Sequence, residues 1–229
     1  MKSFALTMLA TSVAANSIPI YGNYPGWVEG QDGKNISVEI FYDLLCSDSK
    51  AANPTVEKLL ATEWLGATVF DQITVAYTPF PLPYHNHTWQ VNQLVPFFDD
   101  LCAKSKGEVT EGDNCVLDKY KDFAFANQEW ALGQTDMNKN DFVKAWSQKV
   151  SDEFGFPVDQ IELCYDRAND PHDTEDKLRA MWKYGTGKGV SGAPVAFVNG
   201  VKLDSFPNTV DEWMEMLNSV VESQWGFTQ

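Results

Sequence analysis

The 229-residue chain predicts an α/β fold: a sheet with helices on both faces, and a long helical block between two strand-bearing halves. Three observations predict it. Residues 36–78 read strand, helix, strand. Residues 89–187 carry helical texture alone, and residues 194–221 return to a hairpin followed by an amphipathic helix. The expected divisions are 16–87 for the first half, 88–187 for the insertion and 188–229 for the second half.

Residues 1–15 stand outside that fold as a secretory signal. Lys2 precedes an apolar run from Phe4 to Ala15, and Val13 with Ala15 suits cleavage before Asn16. No segment approaches the eighteen or so unbroken apolar residues that a membrane helix requires. Residues 36–44 are β-rich and lead to Cys46. The helix after them carries Val56, Leu59, Leu60 and Trp64 at helical spacing, with Pro54 expected to kink it. Ile73, Val75 and Tyr77 alternate with Thr74, Ala76 and Thr78, the period of a second strand. Pro79-Phe80-Pro81-Leu82-Pro83 must end it, because proline cannot continue a ladder. The unit is a parallel βαβ.

Within the insertion, helices are expected at 95–101, 116–132, 142–154 (stopped by Gly155), 158–164 and 174–184 (stopped by Gly185). Asp170-Pro171 supplies the cap and first-turn proline of the last one. Residues 194–198, the dipeptide Asn199-Gly200 and residues 201–203 form a hairpin with a type I′ turn signal. Asn208 or Thr209 caps a final helix whose apolar face is Val210, Trp213, Met214, Leu217 and Val221.

Composition bounds the function. With 44% hydrophobic and 13% aromatic residues, the chain has ample material for a core. A formal charge of -15 excludes nucleic acid and anionic membrane surfaces as partners, since both demand clustered Lys and Arg. Asn35-Ile36-Ser37 and Asn86-His87-Thr88 match the glycan acceptor pattern, making Asn35 and Asn86 candidate glycosylation sites. The last four residues, Gly226-Phe227-Thr228-Gln229, are not a retrieval signal, so a secreted or endomembrane-lumen location is expected.

The chemistry centres on Cys46. A thiol at the first turn of a helix meets unsatisfied N–H groups and the positive end of the helix dipole, which favours its nucleophilic thiolate. The strand-to-helix corner is expected to expose it. Three residues on stands Ser49, where a dithiol site would carry sulfur. A hydroxyl can only hydrogen-bond the Cys46 sulfur, so a mixed disulfide formed there waits for an outside thiol. Of the other cysteines, Cys102 and Cys115 flank a Gly- and charge-rich loop that a bridge would close, a gain of roughly 3 kcal/mol. Cys164 is left as a buried thiol or as an alternative partner of Cys102.

Three ordered segments carry a resemblance: Phe41-Tyr42-Asp43-Leu44-Leu45-Cys46-Ser47-Asp48-Ser49, Phe80-Pro81-Leu82-Pro83-Tyr84-His85-Asn86, and Val190 to Gly200 with Gly192-Ala193-Pro194. Together they resemble the DsbA-like branch of the thioredoxin superfamily, across nearly the whole mature chain. The resemblance implies a thioredoxin-like fold, a central mixed sheet flanked by helices with an inserted helical domain. It implies Cys46 as nucleophile, Pro194 as the cis-proline beside the sulfur, and the Ala193-Pro194 loop as a seat for an extended peptide. Three departures accompany it. Ser49 replaces the resolving cysteine, and Ile40 stands where many members have a buried carboxylate. Asp48 adds a negative charge beside the thiol.

The expectation is therefore thiol-disulfide exchange through a single cysteine, on disulfide-containing or extended segments of client proteins. No cofactor is expected; glutathione is a candidate exchanging thiol. The alternatives are a redox-inactive thioredoxin-fold module that binds peptide, and a kappa-type glutathione transferase, which uses a serine near the same corner. Other features read as structure. His85 and His87 lack the acidic neighbours of a metal set, so no metal is expected, and His85 is assigned to capping the loop after the second strand. Trp64, Trp89, Trp130, Trp146, Trp182 and Trp213 fall mostly on apolar helix faces. Gly185-Thr186-Gly187-Lys188-Gly189 follows a helix instead of opening one, unlike a phosphate-cradling loop.

Overall fold

A computed structural model describes residues 24–30, 34–105 and 115–225. The expected signal segment 1–15 and the terminal tetrapeptide 226–229 lie outside the described residues.

The chain opens with β1 (Trp27–Gly30), β2 (Ser37–Tyr42) and α1 (Ser47–Leu60). A small hairpin of β3 (Glu63–Trp64) and β4 (Ala67–Thr68), the one-turn α2 (Val69–Gln72) and β5 (Thr74–Pro79) follow. The insertion comprises α3 (Thr88–Gln93), α4 (Val95–Ser105), α5 (Val116–Ala126), α6 (Gln128–Leu132), α7 (Lys139–Phe154), α8 (Val158–Leu163) and α9 (Thr174–Gly187). The chain then returns through β6 (Val195–Val198) and β7 (Val201–Lys202) to α10 (Val210–Trp225).

The main sheet runs β1-β5-β2-β6-β7. β2 and β5 pair in parallel across the α1 crossover, with Ile40 opposite Tyr77; β1 on β5 and β6 on β2 are antiparallel. Alternation along β2 divides the apolar residues between two cores. Val38, Ile40 and Tyr42 enter the large one, while Phe41 joins a smaller cluster with Cys46, Phe80, Leu82, Val190 and Phe197. The nucleophile candidate thus sits at the rim of the second core, where β2 hands over to α1.

Several expectations are corrected here. β1 has no place in the sequence reading: four residues give too little alternation, and Trp27 is fixed by stacking on Tyr77 across the pairing, with ring centroids 5.0 Å apart. The span 116–132 is two helices, because Asn127 leaves helical geometry and its amide donates to the Phe123 carbonyl. Asp170-Pro171 does not begin α9; Asp173, at φ 50°, precedes it. Asp170 still caps from a distance, its carboxylate accepting the Thr174 N–H at 2.7 Å. Gly185 does not stop α9, which runs on to Gly187 before Gly189 turns at φ 78°. Gly185 instead lets Phe80 and Phe41 lie against the helix, since a Cβ there would stand 2.7 Å from Phe80 Cδ2. Thr209, not Asn208, caps α10, with its hydroxyl accepting the Glu212 N–H and the Glu212 carboxylate accepting the N–H groups of Asn208 and Thr209. Asn199 and Gly200, at φ 48° and 78°, make the tight turn between β6 and β7.

Candidate active site

β2 ends at Tyr42, and the chain needs only Asp43, Leu44 and Leu45 to turn into α1. Cys46 occupies the N-cap, its N–H donating to the Asp43 carbonyl and its carbonyl accepting from Lys50 N–H, each at 3.0 Å. The insertion pins this corner from outside: the Gln128 side-chain amide donates to the carbonyls of Leu44 (3.0 Å) and Cys46 (2.9 Å). Because β6 lies beside β2 with Val195 opposite Phe41, the loop entering β6 passes over the same corner. The Ala193–Pro194 peptide bond is cis, and the Cys46 thiol donates to the Ala193 carbonyl at 3.3 Å. The fold thereby brings Cys46, Ala193 and Pro194 together from two ends of the chain.

Two features of the corner differ from expectation. Cys46 is only 5% exposed, buried beneath the Ala193 carbonyl and the apolar cluster of Phe41, Phe80, Leu82, Val190 and Phe197. Ser49 is fully buried, and its hydroxyl accepts the Asp43 N–H at 3.3 Å instead of meeting the sulfur. A buried backbone donor outcompetes a weak sulfur partner for that hydroxyl.

Sequence reasoning missed Asp43. Its side chain is completely buried and receives five donors. Oδ1 accepts the Leu45 N–H (3.0 Å), the Asn92 amide (3.0 Å) and the Thr88 hydroxyl; Oδ2 accepts the Leu82 N–H (3.1 Å) and His85 Nδ1 (2.6 Å). The signal was available: an acid inside the apolar string Phe41-Tyr42-Asp43-Leu44-Leu45 must find partners if that string is buried. Ile40 is fully buried in the main core, while its neighbour Glu39 points to the other face. There Glu39 Oε2 takes Lys188 Nζ at 2.6 Å and the hydroxyls of Tyr184 (2.9 Å) and Tyr24 (3.4 Å). Burial, and then the Glu39 charge, push both tyrosine hydroxyls above their ordinary range and keep them protonated as donors.

The remaining candidates fall elsewhere. Cys102 and Cys115 are bonded to each other, leaving Cys46 and Cys164 free. Burial, and then the Asp170 charge, push the Cys164 thiol up to about 12, which disfavours its thiolate at neutral pH. Asn35 and Asn86 are both exposed; the Asn86 amide donates to the Gln134 carbonyl, and the Thr88 of its acceptor tripeptide is committed to Asp43. His85 binds Asp43, His87 contacts the Gln134 carbonyl at 2.9 Å, and His172 binds Asp100, so the three imidazoles have separate partners. Among the described residues no group of three His, Cys, Asp or Glu is placed to hold a metal ion, and no helix is long and apolar enough to cross a membrane. Trp64, Trp146 and Trp213 are buried in the main core. Trp89 and Trp182 are only partly buried, and with Pro81, Leu82, Pro83 and His85 they line a cavity of about 270 Å³ beside the corner.

No protein-family model and no curated protein sequence matches the chain. Solved structures do. DsbA of Chlamydia trachomatis superposes with a TM-score of 0.57 at 11% identity, over 90% of this chain and 100% of that one. BdbD of Bacillus subtilis in its oxidised form gives 0.55 at 12% identity, over 85% and 92%. MdbA of Corynebacterium diphtheriae, a thiol-disulfide oxidoreductase, gives 0.53 at 14% identity, over 84% and 89%. Over nearly its whole described length, then, the chain has the thioredoxin-like α/β fold with a helical insertion, the architecture of the DsbA-like thiol-disulfide oxidoreductases.

Proposed function

We propose that this protein is a thiol-disulfide exchange protein of the secretory or endomembrane lumen, acting on client disulfides through Cys46 alone. The observation that supports this reading is the single free thiol at a helix N-terminus, 3.3 Å from the carbonyl of a cis-prolyl loop, with serine at the resolving position. Loss of the Cys46 proton removes the hydrogen bond to the Ala193 carbonyl. The thiolate attacks one sulfur of a client cystine. The S–S bond breaks, the second client sulfur leaves as a thiolate that takes up the proton, and Cys46 is joined to the client. A second thiolate, from the client or from glutathione, then attacks the client-side sulfur and expels Cys46. Each cycle exchanges partners with no net change in the protein, which suits isomerisation or client retention.

The 5% exposure of Cys46 favours a second reading, a module that binds extended peptide at the Ala193-Pro194 loop and does no chemistry. Capture of a disulfide-linked peptide by wild type and Cys46→Ala, measured after denaturation and by equilibrium binding, separates the two. Exchange predicts a denaturation-resistant adduct that Cys46→Ala loses entirely. Equal, fully reversible binding by both proteins would establish the module and end the exchange reading.

A further inference from the structure

Asp43 is the point at which three segments meet. It precedes Cys46 by three residues, and its carboxylate gathers the corner (Leu45 N–H), the loop after β5 (Leu82 N–H and His85) and α3 (Thr88 and Asn92). Five donors and no acceptor face it, the complement of an ionised carboxylate. Its own backbone carbonyl accepts the Cys46 N–H, and its N–H is held by Ser49. His85 is the one partner that can carry a positive charge, and it is not sealed: its side chain is 19% exposed and lines the 270 Å³ cavity.

We propose that Asp43 and His85 form the positioning pair of Cys46: the carboxylate fixes the corner that carries the sulfur, and proton gain or loss on His85 changes the charge the sulfur meets. With His85 protonated the pair is neutral overall. With His85 neutral the pair is an anion one turn behind the thiol, and it opposes the thiolate. Among the described residues, other ionisable groups on the elements around this region are Asp48 in the first turn of α1, Tyr84 packed edge-on to the His85 ring, and His87 on the Gln134 carbonyl. Glu175 of α9 also faces it, engaged with Trp89 and Arg179. None of these contacts Asp43, so the His85 proton acts on the corner through that carboxylate. The inference rests on Cys46 being the working thiol. It adds the residues that set when that thiol works.

The test follows carbamidomethylation of Cys46 by iodoacetamide in the full chain between pH 5 and 9, mapped by mass spectrometry, for wild type and His85→Gln. Thermal melts run in parallel. Glutamine keeps a neutral donor for Asp43. The wild-type profile is expected to carry an inflection that His85→Gln lacks, with the variant about threefold slower on its acid side. Superimposable profiles would overturn the proposal, and a lowered melting temperature with an unchanged profile would do the same by reducing His85 to a structural contact. Iodoacetamide needs no client, so a protein that shows the two profiles yet never traps a disulfide would sink the exchange reading alone.

Discussion

Ser49 decides what kind of exchange the corner supports. Its hydroxyl is fully buried and engaged with the Asp43 N–H, so it cannot resolve an adduct at Cys46, three residues away on the same turn. Ser49→Cys is nearly isosteric and loses one hydrogen bond, a stability cost of about 1 kcal/mol. Oxidised Ser49→Cys should protect Cys46 from alkylation through an internal disulfide, and mass mapping after mild oxidation checks it. A Cys46 that stays alkylatable would show that the corner cannot close a dithiol. The Cys46-to-Ser49 and Gly192-Ala193-Pro194 motifs were each legible from sequence because each is local. The burial of Cys46 was not, since its cover is a carbonyl 147 residues away that only the β2–β6 pairing brings over it. Asp43 escaped for a related reason: its donors come from five separate positions between 45 and 92, a convergence no spacing rule encodes.

At the scale of elements, the sheet and its second core hold the corner in place. The hydrophobic period announced β2, β5, β6 and the apolar face of α10, whereas β1 and the β3–β4 hairpin are too short to carry a period and are fixed by tertiary contact. Gly185 shows the same limit in a helix. Read locally it is a stop; in the fold it sits inside α9, buried, where Phe80 and Phe41 pack. Ala in place of Gly ordinarily stabilises a helix interior by about 1 kcal/mol. Here the added Cβ would stand 2.7 Å from Phe80 and 3.2 Å from Phe41, and overpacking of that kind costs about 1–3 kcal/mol. Gly185→Ala is therefore expected to destabilise by about 1 kcal/mol and to disturb the wall behind Cys46, as read by denaturant midpoint. A stabilised variant would mean that this core yields where the close approach says it cannot.

Across the whole molecule, the insertion is tied to the sheet by charge as well as by apolar packing. Glu29 on β1 faces Asp118 on α5, with Lys121 of α5 paired to both Asp118 and Glu57 of α1 at 3.6 Å. Burial, and then the Asp118 charge, raise the Glu29 carboxyl from 4.5 to about 8. An acid raised in the folded state lends stability that is complete below its unfolded value and is lost as pH climbs through the folded one. The docking of β1 against α5 should thus weaken between about pH 4.5 and 8. Melting temperatures of wild type and Glu29→Gln should converge at low pH and separate in favour of the variant toward pH 8, and parallel curves would contradict this.

The account stands on Cys46 forming a covalent bond with another sulfur. Intact mass of the wild-type protein after incubation with oxidised glutathione at neutral pH, followed by peptide mapping without reduction, measures that directly. One glutathionyl increment per chain, placed on Cys46 and removed by added thiol, is the expected result. An unmodified chain, or an increment on Cys164 with Cys46 untouched, would contradict it.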